Sequence, residues 1–416
     1  STVRKDLTTW LPILLLVVLG GLAGIGKFLQ DGFGNDERTA IPDELVVSSR
    51  SDRGPGSLRT ALFTAMKAPH KITIRFDVDQ IDIEVPLPPV AVSGIKFIGN
   101  EAAPTLIRFA SNRQTESSLL KVSGDDVLIE HLHFDANGGV AIDVTGKRTN
   151  LRNLRIANAS IGIDGFDVTS LTVENSVFRG NGTGIRLNGE KARTKIAGNT
   201  FEDNRDGAIW LALSSDEIQS RNDILIHDNI ISGGRDGLIA VNAGLDVRGN
   251  RISQFTRSGI TLLGTRAMVT GNLISDSAGI GMHISQLLDS VVVDNEIARN
   301  QQIGILIVDA QGLQVDQNHV YENGYGIAAV GLKPINATLK NNTLVGQAID
   351  GLIAIGESPF IDSNHALRNR QAGIRIMDLA LPDQPLIEAV PRLANNTMSD
   401  NGDDDVQYGE YVVSKP

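Results

Sequence analysis

The sequence predicts an all-β chain wound as a right-handed parallel β-helix of about 12 coils, with an N-terminal helical cap and one N-terminal transmembrane helix. Three observations carry this. Asn recurs at a nearly constant interval through most of the 416 residues, aliphatic residues alternate with period two around each Asn, and an uncharged apolar run stands near the start. A chain of this length exceeds what one ordinary core supports, so it is either several domains or a repeat. The 43 Gly against 12 Phe, 4 Tyr and 2 Trp favour a turn-rich, strand-rich repeat.

The apolar run extends from Trp10 to Gly26, is closed by Lys27, and resumes in Phe28 and Leu29. About 20 residues span a hydrocarbon core, so residues 10–29 are just long enough. Arg4 and Lys5 precede the run while Asp31, Asp36 and Glu37 follow it, which assigns residues 1–9 to the cytoplasm and exports everything beyond. The expected location is therefore the inner membrane, single-pass, with the β-helix in the periplasm or outside. A cleaved signal peptide is the alternative, although no clean A-x-A site is present. Gly20 and Gly24 form a small-xxx-small pair on which a second membrane helix could pack, implying an inner-membrane protein partner. Residues 30–44 read as a linker.

The repeat occupies residues 45–405, with 406–416 as a tail. Its Asn positions are 153, 175, 199, 229, 250, 272, 295, 318, 342, 364 and 396. Most intervals are 21 to 24 residues, and the two longer ones, 30 and 32, reflect insertions at 214–221 and 379–388. Period-two runs such as Ile305 and Ile307, with Gly in every coil, exclude helical solenoids. Gly198, Asp228, Gly249, Gly271, Asp294, Asn341 and Asn395, each just before an Asn, are types that tolerate left-handed backbone and mark a sharp corner. Asn stacked from coil to coil can hydrogen-bond up and down the stack, avoiding about 1–3 kcal/mol for each buried amide left unpaired. His131 falls 22 residues before Asn153 and is expected to fill the same position one coil earlier. A second strand follows each Asn after a Gly, as in Gly304–Ile307 and Gly373–Ile376. At ~4.8 Å per coil the rod is roughly 55–65 Å long.

An open first coil would expose strand edges, so the repeat needs a cap. The run Gly54-Pro55-Gly56-Ser57-Leu58-Arg59-Thr60-Ala61-Leu62 supplies a turn and a short amphipathic helix, giving a cap over about 53–68. With Ile72–Asp77 and Pro86–Pro89 after it, this segment resembles the amino-terminal cap of the pectate-lyase-like superfamily. The coils are similar to that superfamily's parallel β-helix repeats, including the copper-accessory proteins of the periplasm. The resemblance implies the fold and a carbohydrate setting, exopolysaccharide synthesis or export, but it does not imply one activity.

Polysaccharide lyases of that superfamily use Asp-bound calcium and an Arg base. Ile163-Asp164-Gly165-Phe166-Asp167 is similar to one of their elements, but the R-x-P-x-x-R element is missing from residues 179–186, as are the motifs of the related hydrolases and epimerases. Residues with a common offset from successive Asn stack in columns. At offset +7 the column reads Gly182, Asp206, Asp236, Arg257, which makes Asp206 and Asp236 neighbours beside Arg257 and nominates them as acid and base. Arg205 and Arg235 precede the pair, and Trp210 points outward where its ring could stack on a sugar. Such a site would take an anionic sugar or a calcium ion; ordinary Asp-Gly turn chemistry is the alternative. His131, His133 and Asp135 have metal-ligand spacing, although the ladder role suits His131 better, and no metal site is assigned. The outward column Arg186, Trp210, Ile239, Thr261, His283, Leu306, Ala328, Ile353, Arg375 has an apolar middle, and Ile239, Leu306 and Ile353 are its candidate contact residues. The insertion at 379–388 is the alternative cover for that strip.

A net charge of −11, a pI near 5.2 and no basic stripe exclude a nucleic-acid partner. The absence of Cys removes disulfides and thiolate chemistry. Two classes of function remain: a non-catalytic accessory that binds a polysaccharide or docks on a membrane complex, and a membrane-tethered polysaccharide lyase, epimerase or hydrolase. A structural subunit of another membrane complex is a third. No cofactor is required.

Overall fold

The structure, a computed structural model, describes residues 40–112, 117–190, 193–214 and 223–413. From Glu44 the chain winds into three parallel sheets of 15, 14 and 13 strands, and each strand pairs with the equivalent strand of the next coil. This makes a right-handed parallel β-solenoid of about 13 turns rather than 12. Inward positions of all three sheets are Ile, Leu, Val and Phe with almost no exposure, among them the stacked rings of Phe178 and Phe201, 4.7 Å apart.

The helix Leu58–Ala65 covers the first coil. Ser57 caps it by accepting from the Thr60 amide, and Leu58, Ala61, Leu62 and Ala65 form its buried face. Arg59 donates to the buried Asp52 and to the carbonyls of Val85 and Pro86, tying the cap to the chain beyond it. At the other end, Gln407–Val412, expected as a tail, pairs with Ile374–Ala380 and closes the third sheet.

The transmembrane helix is not found. Among the described residues no helix is long and apolar enough to cross a membrane, and the eight-residue Leu58–Ala65 is the only helix. The expected span at 10–29, the tail at 1–9, nearly all of the linker and the pair Gly20 and Gly24 lie outside the described residues, so the location inferred from them has no support here.

Nine Asn, from Asn199 to Asn396, form the buried ladder. Asn318 is typical: its Nδ2 donates to Asn342 Oδ1 at 3.0 Å and to the Val292 carbonyl at 3.0 Å, and its Oδ1 accepts from both the amide and the Nδ2 of Asn295. The residue before each rung has positive φ, between 51° and 65° from Gly198 to Asn395. In the early coils the expected phase is corrected. His131, Asn153 and Asn175 have φ of 56°, 54° and 50°, so they occupy the corner, and Leu132, Leu154 and Ser176 stand at the rung. Asn tolerates both places, which is why the residue type alone misplaced them.

A second ladder, not anticipated, runs five residues later through Asn300, Asn323, Gln347, Asn369 and Asn401 and ends on the Asp404 carboxylate. Asn181 and Asn204 form a separate short stretch of it. Between the stretches its rung falls to Gly234, where a Cβ would lie 2.1 Å from the Asn204 carbonyl oxygen, to Phe255, and to Ser277, whose hydroxyl accepts from the Phe255 amide.

Removing one rung strands its neighbours' buried donors and acceptors. Asn318→Ala is expected to cost about 2–4 kcal/mol in chemical denaturation, whereas the exposed Asn336→Ala stays within about 0.5 kcal/mol of the parent.

Candidate functional site

On the third sheet, strict coil-to-coil register turns alternate positions into an outward column. Arg186 pairs with Trp210, and Ile239, Thr261, His283, Leu306, Ala328, Ile353 and Arg375 follow in succession. At the middle of this face lies a groove of about 480 Å³. Ile239, Val241, Leu263 and Ile280 make its apolar floor, Trp210 and His283 mark its first and last coils, Ser258 and Thr261 contribute hydroxyls, and Arg235 and Arg257 line one edge.

The arginines are held by Asp236, whose side chain is 1% exposed. Arg257 donates to it through Nε at 2.8 Å and Nη2 at 2.6 Å, and Arg235 adds a contact at 3.2 Å. Two guanidiniums, 44% and 56% exposed, thus share one buried carboxylate and leave an uncompensated positive charge on an otherwise acidic chain. His283 is half-buried, and burial first and the Arg257 charge second hold its imidazole below the usual histidine range.

The expected acid–base pair does not form. Ile209 pairs with Leu238, which sets Gly207, not Asp206, beside Asp236. The Asp206 carboxylate instead leans toward Gly182 in the preceding coil and takes Arg205 as its partner at 3.0 Å. The cause is a corner one residue shorter: positive φ falls at Asp203 and Gly233, and the third-sheet strands begin at Gly207 and Asp236 respectively. Arg235 and Arg257 are therefore the true neighbours. Of the proposed site residues the structure gathers Trp210, Arg235, Asp236, Arg257 and Ile239, and it leaves Arg205 and Asp206 outside the groove. Val241, Ser258, Leu263, Ile280 and the part of His283 were missed, although counting registers from Gly233 would have revealed them.

The strip beyond Leu306 is covered by the chain itself. Leu381 and Ile387 pack against the cluster of Ala328, Ile353, Ile355 and Leu379, while Leu306 is half-buried at the margin. At the other candidate, His131 lies in a corner and not in the strand of His133, and Asp135 accepts from Asn158 and the Asn137 amide, so the three do not share one strand face. Among the described residues no group of three or more such side chains is placed to hold a metal ion.

A fold of stacked parallel coils with an inner amide ladder defines a β-helix repeat protein. The chain belongs to the family described as right handed beta helix region, whose model matches residues 92–225 and 217–359. No curated protein matches it. Similar solved structures include the A-module of mannuronan C-5 epimerase AlgE6 of Azotobacter vinelandii, at 12% identity and a TM-score of 0.49, covering 85% of this chain and 96% of that one. Another is the catalytic unit of a thermostable α-1,3-glucanase from Streptomyces thermodiastaticus, at 14% identity and a TM-score of 0.43, covering 88% and 67%.

Replacing Asp236 by Asn puts an amide donor against two guanidiniums in a buried place. Asp236→Asn is expected to lose about 2–3 kcal/mol of stability, and Asp206→Asn less than about 0.5 kcal/mol, both read from denaturant midpoints.

Proposed function

We propose that this protein binds an acidic polysaccharide in the groove between Trp210 and His283. The single observation behind the reading is the local charge excess of Arg235 and Arg257 over an apolar floor. A uronate needs both: a carboxylate partner and a surface for the weakly polar face of its ring. Trp210 offers an aromatic plane at one end, and Thr261 and Ser258 offer hydroxyls between. The geometry favours binding over turnover, because both Asp236 oxygens are engaged by guanidiniums and Asp206 faces another coil.

Calorimetry with oligouronates and with neutral oligosaccharides of the same linkage tests this. Oligouronates are expected to bind more tightly, with affinity falling as salt rises. Trp210→Ala and Arg235→Ala should each weaken binding about tenfold, equivalent to 1.4 kcal/mol. Equal affinity for neutral and acidic glycans, or none for either, defeats the proposal.

His283 adds a pH signature. Its lowered pKa means it is neutral at pH 7, and a bound carboxylate favours the protonated ring. Affinity should therefore rise as pH falls below neutrality, until the sugar carboxylates themselves protonate. His283→Gln should flatten that rise while leaving affinity at neutral pH within about twofold, a difference of a few tenths of a kcal/mol.

A further inference from the structure

The outer face of the third sheet is open over a limited length. Toward the N-terminal coils the column continues as Arg186, Asp164, Asp143 and Lys121, where Arg186 pairs with Asp164 at 2.6 Å and Lys121 with Asp143 at 3.5 Å. These charges cancel, and the two carboxylates offer a polyanion nothing. Toward the C-terminal coils the chain leaves the sheet and folds back. Leu379 and Ile387 exchange backbone hydrogen bonds of 2.9 and 3.0 Å, and Asp378 accepts from the Ala389 amide at 2.7 Å, which fixes the excursion as a hairpin. Its Leu381 and Ile387 pack against the cluster of Ala328, Ile353, Ile355 and Leu379, which includes the column residues Ala328 and Ile353.

Resting on the polysaccharide reading above, we infer that the hairpin 381–387 is a specificity element that sets the length of glycan the groove accepts. The open stretch from Trp210 to Leu306 covers five coils, roughly 20 Å at ~4.8 Å per spacing. Each unit of an extended 1,4-linked chain advances by about one strand spacing, so about four units fill the track. A further sugar on the C-terminal side meets Leu381 and Ile387, and one on the N-terminal side meets Arg186 and Lys121 already paired with Asp164 and Asp143.

Oligouronates from dimer to octamer, titrated calorimetrically into the intact protein, test this. Affinity is expected to climb to about the tetramer and then level. Replacing residues 381–387 by a short glycine-serine link should carry the climb beyond the tetramer, by about tenfold by the hexamer. If that variant fails to fold, the pair Leu381→Ser and Ile387→Ser, which loosens the hairpin without removing it, is read in its place. Trp210→Ala should lower affinity at every length without moving the plateau. A parent curve still rising to the octamer, or a plateau unmoved in the folded hairpin variants, overturns the inference alone. Absence of binding at every length overturns instead the function on which it rests.

Discussion

The amide ladder is the constraint on which the rest depends. Each rung donates and accepts along the axis, and each also takes a backbone carbonyl of the preceding coil. A buried Asn is costly unless both ends of its amide are satisfied, and a partner in the adjacent coil satisfies both only when the coils are in strict register. Register in turn decides which side chain faces outward, because a slip of one residue exchanges the two faces of a strand. The outward column that forms the groove is thus fixed by contacts on the inside of the solenoid.

Axial electrostatics follow the same spacing. Asp126 with Arg148, Asp276 with Arg299 and Asp350 with Arg375 each join one coil to the next. Arg299 holds the Asp276 carboxyl below the usual range, and Arg148 does the same for Asp126. A depressed carboxyl stabilises the fold above its unfolded pKa and loses that contribution as pH falls through the folded one. Most of these pairs are exposed, so each adds little beside the ladder. Asp236 and Asp350 differ in being almost fully buried, and each anchors an arginine whose head reaches the surface.

The fold was legible because the ladder residue is chemically distinctive and recurs at one interval. The early coils were less so, since Asn suits both a left-handed corner and a buried rung, and the backbone angles together with the hydrogen bonds of Ser176 separate the two roles. The second ladder was legible too, as Asn repeated five residues on at Asn295 and Asn300, Asn318 and Asn323, and Asn364 and Asn369. Gly234, Phe255 and Ser277 interrupt that recurrence, so it does not run as a continuous period along the chain. The covering of Ile353 could not be read, because the hairpin that covers it belongs to an insertion outside the repeat.

The site turns on that interruption. Were the corner after Gly233 as long as the one after Asp203, the column would read Asp206, Asp236, Arg257, two carboxylates with one cation. Losing one residue advances Asp236 into the buried position beside Gly207 and brings Arg235 into the column, which then reads Asp206, Arg235, Arg257. Adjacent guanidiniums repel, and the displaced carboxylate offsets that repulsion from beneath while its own oxygens are satisfied by the pair. Gly234, one residue after the corner as Asn204 is in the coil before, holds the second-ladder rung without an amide, so that ladder is interrupted in the coil that carries Arg235. Gly234 suits that coil because its backbone passes so close to the Asn204 carbonyl that a Cβ would clash, while the cationic edge itself comes from the one-residue shift in register.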